Sequence, residues 1–127
     1  MHTIMIIDDD VELVENVMTV LESSDVRLVT MDTTEGAVDR LQEVQPDLLI
    51  LDVMFPENPA GGFDLARAIR KTEAIKALPI ILLTGINQEL PMDFSADDID
   101  DDWMPVQNML EKPISIAELQ DAVAKLL

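Results

Sequence analysis

Short apolar runs alternate with segments of helical periodicity along this chain. The strand-like runs are Thr3–Ile7, Val26–Met31, Leu48–Asp52, Pro79–Thr84 and a short one at Met109–Glu111. Between and after them, apolar residues recur every three or four positions, which predicts helices over about residues 11–21, 37–44, 63–69 and 116–126. Strands separated by helices favour right-handed crossovers. The pattern therefore predicts an α/β fold, with a parallel sheet covered by helices on both faces.

Individual residues mark where several helices begin and end. Asp10 is a candidate N-cap for the first helix, because its short carboxylate can accept a main-chain N–H of the first turn. Thr33 or Thr34 stands near the start of the second helix, and Pro46 lies just past its end.

Two segments do not fit the regular alternation. Phe55–Gly62 contains two prolines and two glycines, which predicts a loop. Gly85–Asn108 carries six aspartates between residues 93 and 102, together with the only tryptophan, Trp103. We expect at most a short helix in this acidic stretch, and we interpret the run Asp97–Asp102 as a solvated loop and Trp103 as a packing residue.

Charge and composition exclude several classes of function. The chain has 127 residues, the length of one domain, and carries 26 acidic and 8 basic side chains for a net charge of −18. Such a surface repels nucleic acid and anionic membranes, so we expect neither as a direct partner. No apolar run reaches the length of a membrane span and the amino terminus lacks a basic signal-like region, so we expect a cytoplasmic protein.

The chain also lacks the residues of several familiar sites. It has no cysteine, which excludes disulfides, thiol catalysis and cysteine-ligated zinc. Its one histidine, His2, is at the amino terminus, so a catalytic triad or a histidine metal cluster is excluded as well.

Carboxylates gather where the apolar strands end. Asp8 and Asp9 directly follow the first strand and Asp52 ends the third, while Asp10 is explained by helix capping alone. The carboxyl ends of parallel strands open into one crevice, so these side chains are expected to lie close together. Crowded carboxylates repel one another unless a cation neutralises them. The arrangement predicts a divalent-metal site with an aspartate in its middle.

Five motifs in order carry a family resemblance: IIDDD, PDLLILDVMFP, GGFDLARAIR, LPIILLTG and EKPIS. With them, the chain resembles the receiver domain of two-component response regulators, the CheY-like family, across residues 1–127. The resemblance implies a flavodoxin-like (βα)5 three-layer sandwich, whose parallel five-stranded sheet has the order 2-1-3-4-5.

The same resemblance implies a metal site that holds Mg²⁺. Asp9 corresponds to a direct ligand, Asp8 to one that acts through water, and the main-chain carbonyl of Met54 completes the protein ligands beside Asp52. Mg²⁺ prefers oxygen ligands and retains several waters, so this small set suffices.

The implied reaction is phosphoryl transfer. Asp52 corresponds to the phosphoacceptor, Thr84 to the hydroxyl that meets the phosphoryl group, and Lys112 to the cation that pairs with it. A carboxylate can attack phosphohistidine to form an acyl phosphate, and the other two groups compensate charge on the phosphoryl oxygens.

Some positions depart from the family pattern. The loop Pro56–Gly62 is longer than usual, Met109 stands where the family has a switch aromatic, and the irregular segment 85–108 replaces the region of the fourth helix. By the same resemblance, Met54 and Ile86 correspond to the positions at which members of this family tune attack by water. Because both are apolar and cannot orient a water, we expect the acyl phosphate to hydrolyse slowly.

The sequence therefore predicts a signalling receiver domain rather than a metabolic enzyme. A histidine kinase or histidine phosphotransfer protein would be the donor, and an unknown downstream protein the target. The chain starts at a methionine and stops after its last helix, so we expect a stand-alone domain. The alternative is an interaction module that works without phosphorylation through its altered 85–108 face. Phosphatases of the haloacid dehalogenase type share the Asp8-x-Asp10 spacing, but this chain is short for their core and cap.

Overall fold

Five strands and four helices alternate in the computed structural model, which describes residues 2–22, 25–53, 55, 61–85, 108–112 and 114–127. The strands are β1 (His2–Ile7), β2 (Val26–Met31), β3 (Leu48–Asp52), β4 (Ile80–Gly85) and β5 (Asn108–Lys112). The helices are α1 (Val11–Leu21), α2 (Ala37–Val44), α3 (Gly61–Arg70) and α4 (Ile116–Leu126).

The strands form one parallel sheet in the order β2-β1-β3-β4-β5, as predicted. β1 pairs with β2 on one side and with β3 on the other, and β3, β4 and β5 continue the sheet. The strand order therefore reverses direction between β1 and β3. At such a switch point the connections leave toward opposite faces, which opens a crevice beyond the carboxyl ends of the two strands.

Alternate residues of the strands build two separate cores, one on each face of the sheet. On one face, residues such as Met5, Leu49 and Leu51 pack against α2 and α3. On the other face, residues such as Ile6 and Ile50 pack against α1 and α4. Every position of β3 is buried, and up to Asp52 its sequence is a continuous apolar run, Leu48–Leu51, rather than an alternating one. These two cores give the three-layer sandwich that the sequence predicts.

The element boundaries agree with the sequence analysis to within one or two residues, with three corrections. Gly85 belongs to β4 and Asn108 to β5, so neither lies in the irregular acidic segment. Gly61 and Gly62 begin α3 rather than ending a loop.

The start of α2 differs in detail from the expectation. Its N-cap is Gly36 at φ 73°, a left-handed conformation that glycine adopts at little cost. Thr33 and Thr34 instead form the turn before it: the Thr33 hydroxyl accepts the Glu35 N–H at 3.1 Å, and the Thr34 carbonyl accepts the Ala37 N–H at 3.1 Å.

Within the described residues, none of the helices combines the length and the apolar character that a bilayer crossing needs.

Candidate functional site

Asp52 is held at the carboxyl end of β3 by its own backbone and by β4. It lies opposite Leu83 in the sheet and is only 2% exposed. Its Oδ1 accepts the N–H of Val53 at 2.9 Å, and the same N–H donates to the Leu83 carbonyl at 3.1 Å. The carboxylate is therefore fixed relative to the sheet rather than free to rotate into solvent.

Asp8 is fixed at the neighbouring strand end. Its N–H donates to the Met31 carbonyl of β2 at 3.0 Å, which extends the β1–β2 ladder by one bond. Its side chain is 1% exposed, and Oδ1 accepts the Asp10 N–H at 2.9 Å. Asp10 in turn caps α1 by accepting the Leu13 N–H at 3.2 Å, which confirms its predicted role. This tight turn aims Asp8 back toward the sheet edge.

The carboxylates of Asp8, Asp9 and Asp52 converge as predicted, with one oxygen of each within 4.8 Å of the other two. Asp8 and Asp52 are the buried charged side chains of the described part of the chain, whereas Asp9 is exposed. Carboxylates this close repel one another, and burial weakens the screening by water. An oxygen-only donor set that is partly open to solvent fits a hard divalent cation such as Mg²⁺.

A residue that the sequence analysis missed, Gly62, lies against the backbone of Asp52. The Gly62 N–H, in the first turn of α3, donates to the Val53 carbonyl at 2.8 Å. A side-chain carbon at Gly62 would overlap the Asp52 carbonyl oxygen and would lie 2.7 Å from the Val53 Cα. Only glycine allows α3 to begin this close to the end of β3. The signal in the sequence was the glycine pair Gly61-Gly62 at the start of an apolar helical pattern, where polar residues are usual.

The other two predicted site residues reach the same sheet edge through their backbones. Asp52 pairs with Leu83 of β4, and Thr84 is the next residue along that strand. Lys112 of β5 pairs with Gly85, which is two positions beyond Leu83. The sheet thus brings all three strand ends together. The side chains of Thr84 and Lys112 and of Met109, which stands at the switch-aromatic position, lie outside the described residues. So do Met54, Ile86, Trp103, the segment 93–102 and most of the loop 56–62, and the predictions for them stay predictions.

Fold and site together define a doubly wound α/β protein with a carboxylate cluster at its topological switch point. The family described as "Response regulator receiver domain" matches residues 4–124. The chain belongs to this family. Its members are signalling modules of two-component systems rather than metabolic enzymes, as the sequence predicted.

Individual relatives agree with this assignment. The transcriptional regulatory protein AfsQ1 of Streptomyces coelicolor is 35% identical over 113 residues, which are 84% of this chain and 46% of that protein. The chain spans about half the length of the curated relatives it matches.

Solved structures show the same fold. A putative response regulator from Chloroflexus aurantiacus superposes with a TM-score of 0.80 at 27% identity, covering 98% of this chain and 96% of that one. The signal receiver domain of a histidine kinase from Syntrophus aciditrophicus also gives 0.80, at 26% identity, covering 100% of this chain and 90% of that one.

Proposed function

We propose that this chain accepts a phosphoryl group on Asp52 in a Mg²⁺-dependent reaction. The observation that carries the proposal is the position of Asp52: a buried carboxylate, fixed by Val53 and crowded by two further carboxylates. A carboxylate in this setting is the one candidate nucleophile at the centre of the described acidic cluster. The donor is a histidine kinase or a histidine phosphotransfer protein.

The proposed phosphoryl transfer involves only the donor's phosphohistidine and the Asp52 carboxylate as reactants. An Asp52 oxygen attacks the phosphorus of the donor's phosphohistidine, an O–P bond forms as the N–P bond breaks, and the imidazole leaves with the electron pair. The chain contributes by holding the acceptor in line and by compensating the charge on the phosphoryl oxygens. Thr84 and Lys112, whose strand ends reach this edge, supply a hydroxyl donor and a point positive charge for that purpose.

The residues proposed to hold the metal are Asp8, Asp9 and Asp52, with the main-chain carbonyl of Met54. When bound, Mg²⁺ neutralises the clustered carboxylates and orients the oxygens of the incoming phosphoryl group. Asp8 and Asp52 are already held in place by main-chain N–H groups, so little reordering accompanies binding.

Phosphorylation would then change the surface presented to a downstream protein. Thr84 and Lys112 are drawn toward the new oxyanion, and this shifts a two-state equilibrium of the neighbouring segments. The net charge of −18 favours a protein target over nucleic acid or an anionic membrane. The proposal places the reaction in the cytoplasm.

Intact mass measurement after incubation with phosphoramidate and Mg²⁺ tests the proposal. The wild-type protein should gain one phosphoryl group, and omission of Mg²⁺ should abolish the gain. Asp52→Asn should gain none, whereas the matched variant Asp47→Asn, at the other end of β3, should behave as wild type. A wild-type protein that stays unmodified would favour the alternative, an interaction module independent of phosphorylation. A modified Asp52→Asn would show that another residue is the acceptor.

A further inference from the structure

Two adjoining depressions run along the side of α1 that faces the edge strand β2. The larger one, of about 560 Å³, begins at the acidic site, and the smaller one, of about 310 Å³, continues toward the end of the helix. Both are lined by Met18, so they form one surface, which we call the α1–β2 groove. Its described lining residues are Asp8, Val11, Val14, Glu15, Met18, Thr19, Glu22, Val26, Leu28, Thr30, Met31 and Asp32.

The charged residues of the α1–β2 groove are all acidic. Glu15, Glu22 and Asp32 are exposed along its length, and Asp8 lies at the end nearest the site. Among the described lining residues, no lysine or arginine offsets them. The groove on the other side of α1, toward α4, differs: its described lining residues, such as Leu13, include none with a charge.

Between these carboxylates the groove is apolar and adaptable. Val11 has 65% of its surface exposed, the largest fraction among the exposed large apolar residues that the structure describes. Met18 and Met31 are partly exposed and line the groove from its two sides. Unbranched methionine side chains adjust to the shape of an incoming apolar residue, which makes them common at peptide-binding surfaces.

We propose that the α1–β2 groove binds a basic amphipathic helix of a partner protein. Apolar grooves with acidic rims recognise helices that have an apolar face flanked by lysine or arginine. Glu15 and Glu22 are seven residues apart, about two helical turns or roughly 10 Å, so cations with a seven-residue spacing on a parallel or antiparallel helix lie opposite both. A second copy of this chain is disfavoured as occupant, since each copy carries a net charge of −18.

This binding does not require phosphoryl transfer, because the proposed acceptor Asp52 does not line the groove, although Asp8 at its end also belongs to the proposed metal site. Asp52→Asn is therefore expected to bind the helix as wild type does. If the helix binds but Asp52 is never phosphorylated, only the proposed function fails. If Asp52 is phosphorylated but no helix binds, only the present inference fails.

The first test uses a dye-labelled synthetic helix of leucine and lysine, with the lysines on one face, and fluorescence anisotropy at physiological salt. The double variant Glu15→Lys/Glu22→Lys should bind the peptide at least about tenfold more weakly than wild type. The matched control Glu35→Lys/Asp39→Lys has the same net charge as the test variant, but its substitutions lie just before α2 and in its first turn. It should bind the peptide within about twofold of wild type. Equal weakening in both variants would mean that the overall negative charge attracts the peptide, and would overturn the proposal.

The second test separates the two sides of α1 without changing any charge. Val11→Ser removes an exposed apolar side chain from the α1–β2 groove, and Ile116→Ser removes one that is 59% exposed from the groove toward α4. Because both side chains are largely in solvent, both variants should fold, as circular dichroism would verify. Weaker binding by Val11→Ser alone supports the assignment. Weaker binding by Ile116→Ser, or no binding by the wild-type protein, overturns it.

Discussion

The two ends of β3 carry aspartates with opposite surroundings. Asp47, just before the strand, is half-exposed, and its Oδ2 accepts the Thr3 N–H at 2.7 Å while its own N–H donates to the Thr3 carbonyl at 2.7 Å. Asp52, at the end of the strand, is buried beside two other carboxylates. Asp47 thus links β1 to β3 through hydrogen bonds, whereas Asp52 belongs to a cluster of three carboxylates.

This contrast shows why one aspartate is structural and the other is a candidate nucleophile. Asp47 loses little hydration, because water still reaches it and a main-chain N–H replaces what is lost. Asp52 and Asp8 lose nearly all contact with bulk water and face one another across the crevice. Burying like charges together opposes folding unless a cation joins them. The strand order creates that crevice at the carboxyl edge only, so the two edges of the sheet serve different purposes.

The largest effect should come from the metal. With Mg²⁺ at a hundred times its dissociation constant, the free energy of unfolding of the wild-type protein should rise by about 2.7 kcal/mol. Asp8→Asn should lose most of this increase, because it removes a carboxylate from the cluster while its amide oxygen can still accept the Asp10 N–H. Without metal, Asp8→Asn should be more stable than wild type, since it relieves repulsion with Asp52. Urea unfolding across a Mg²⁺ titration measures both changes.

Asp47→Asn is the control for this experiment and should retain the full Mg²⁺ stabilisation. If Mg²⁺ stabilises the Asp8→Asn protein as much as wild type, the ion acts on the acidic surface as a whole. The carboxyl ends of the strands would then bind Mg²⁺ no more specifically than the amino ends do.

The next effect concerns the backbone beneath Asp52. Gly62→Ala should lower the free energy of unfolding by about 1–3 kcal/mol, because the added methyl overlaps the Asp52 carbonyl and α3 must shift. It should also slow phosphoryl uptake from phosphoramidate by about tenfold or more if Asp52 is the acceptor, since the Asp52 carboxylate moves with its main-chain carbonyl. Urea denaturation and the time course of the mass change report the two effects.

Gly36→Ala separates lost stability from lost positioning. Gly36 has a left-handed backbone conformation at φ 73° and open space where a Cβ would lie, so alanine there should cost about 1 kcal/mol through the backbone alone. Its phosphoryl uptake should match wild type. If each glycine variant slows phosphoryl uptake in proportion to the free energy of unfolding that it loses, Gly62 has no specific positioning role.

The carboxylate cluster could be predicted from the sequence because strand ends are local features. Each apolar run ends visibly at its aspartate, and parallel pairing brings those ends to one edge, so Asp8, Asp9 and Asp52 converge as expected. Gly62 could not be placed in this way. Its importance depends on how closely α3 approaches β3, and no periodicity within either element encodes that distance.

The α1–β2 groove was missed for a related reason. Glu15 and Glu22 appear in the sequence as the ordinary solvated face of an amphipathic helix. Their meeting with Asp32 and the methionines depends on β2 being the edge strand, which leaves that side of α1 uncovered by a further helix of the described chain. Strand order is predictable from the family resemblance, but the depth of a groove depends on side-chain packing between elements.

The smallest expected effect belongs to the structural end of β3. Asp47→Ala should lower the free energy of unfolding by about 1 kcal/mol, because the Thr3 N–H loses its side-chain acceptor but remains accessible to water. The Mg²⁺-dependent gain in stability and the phosphoryl uptake should both equal those of wild type. Urea unfolding with and without Mg²⁺ measures the loss of stability and the Mg²⁺-dependent gain, and intact mass measures phosphoryl uptake. The side chains of Asp47 and Asp52 lie at opposite ends of β3. A loss of the Mg²⁺-dependent stabilisation in Asp47→Ala would therefore mean that the two ends are coupled through the strand.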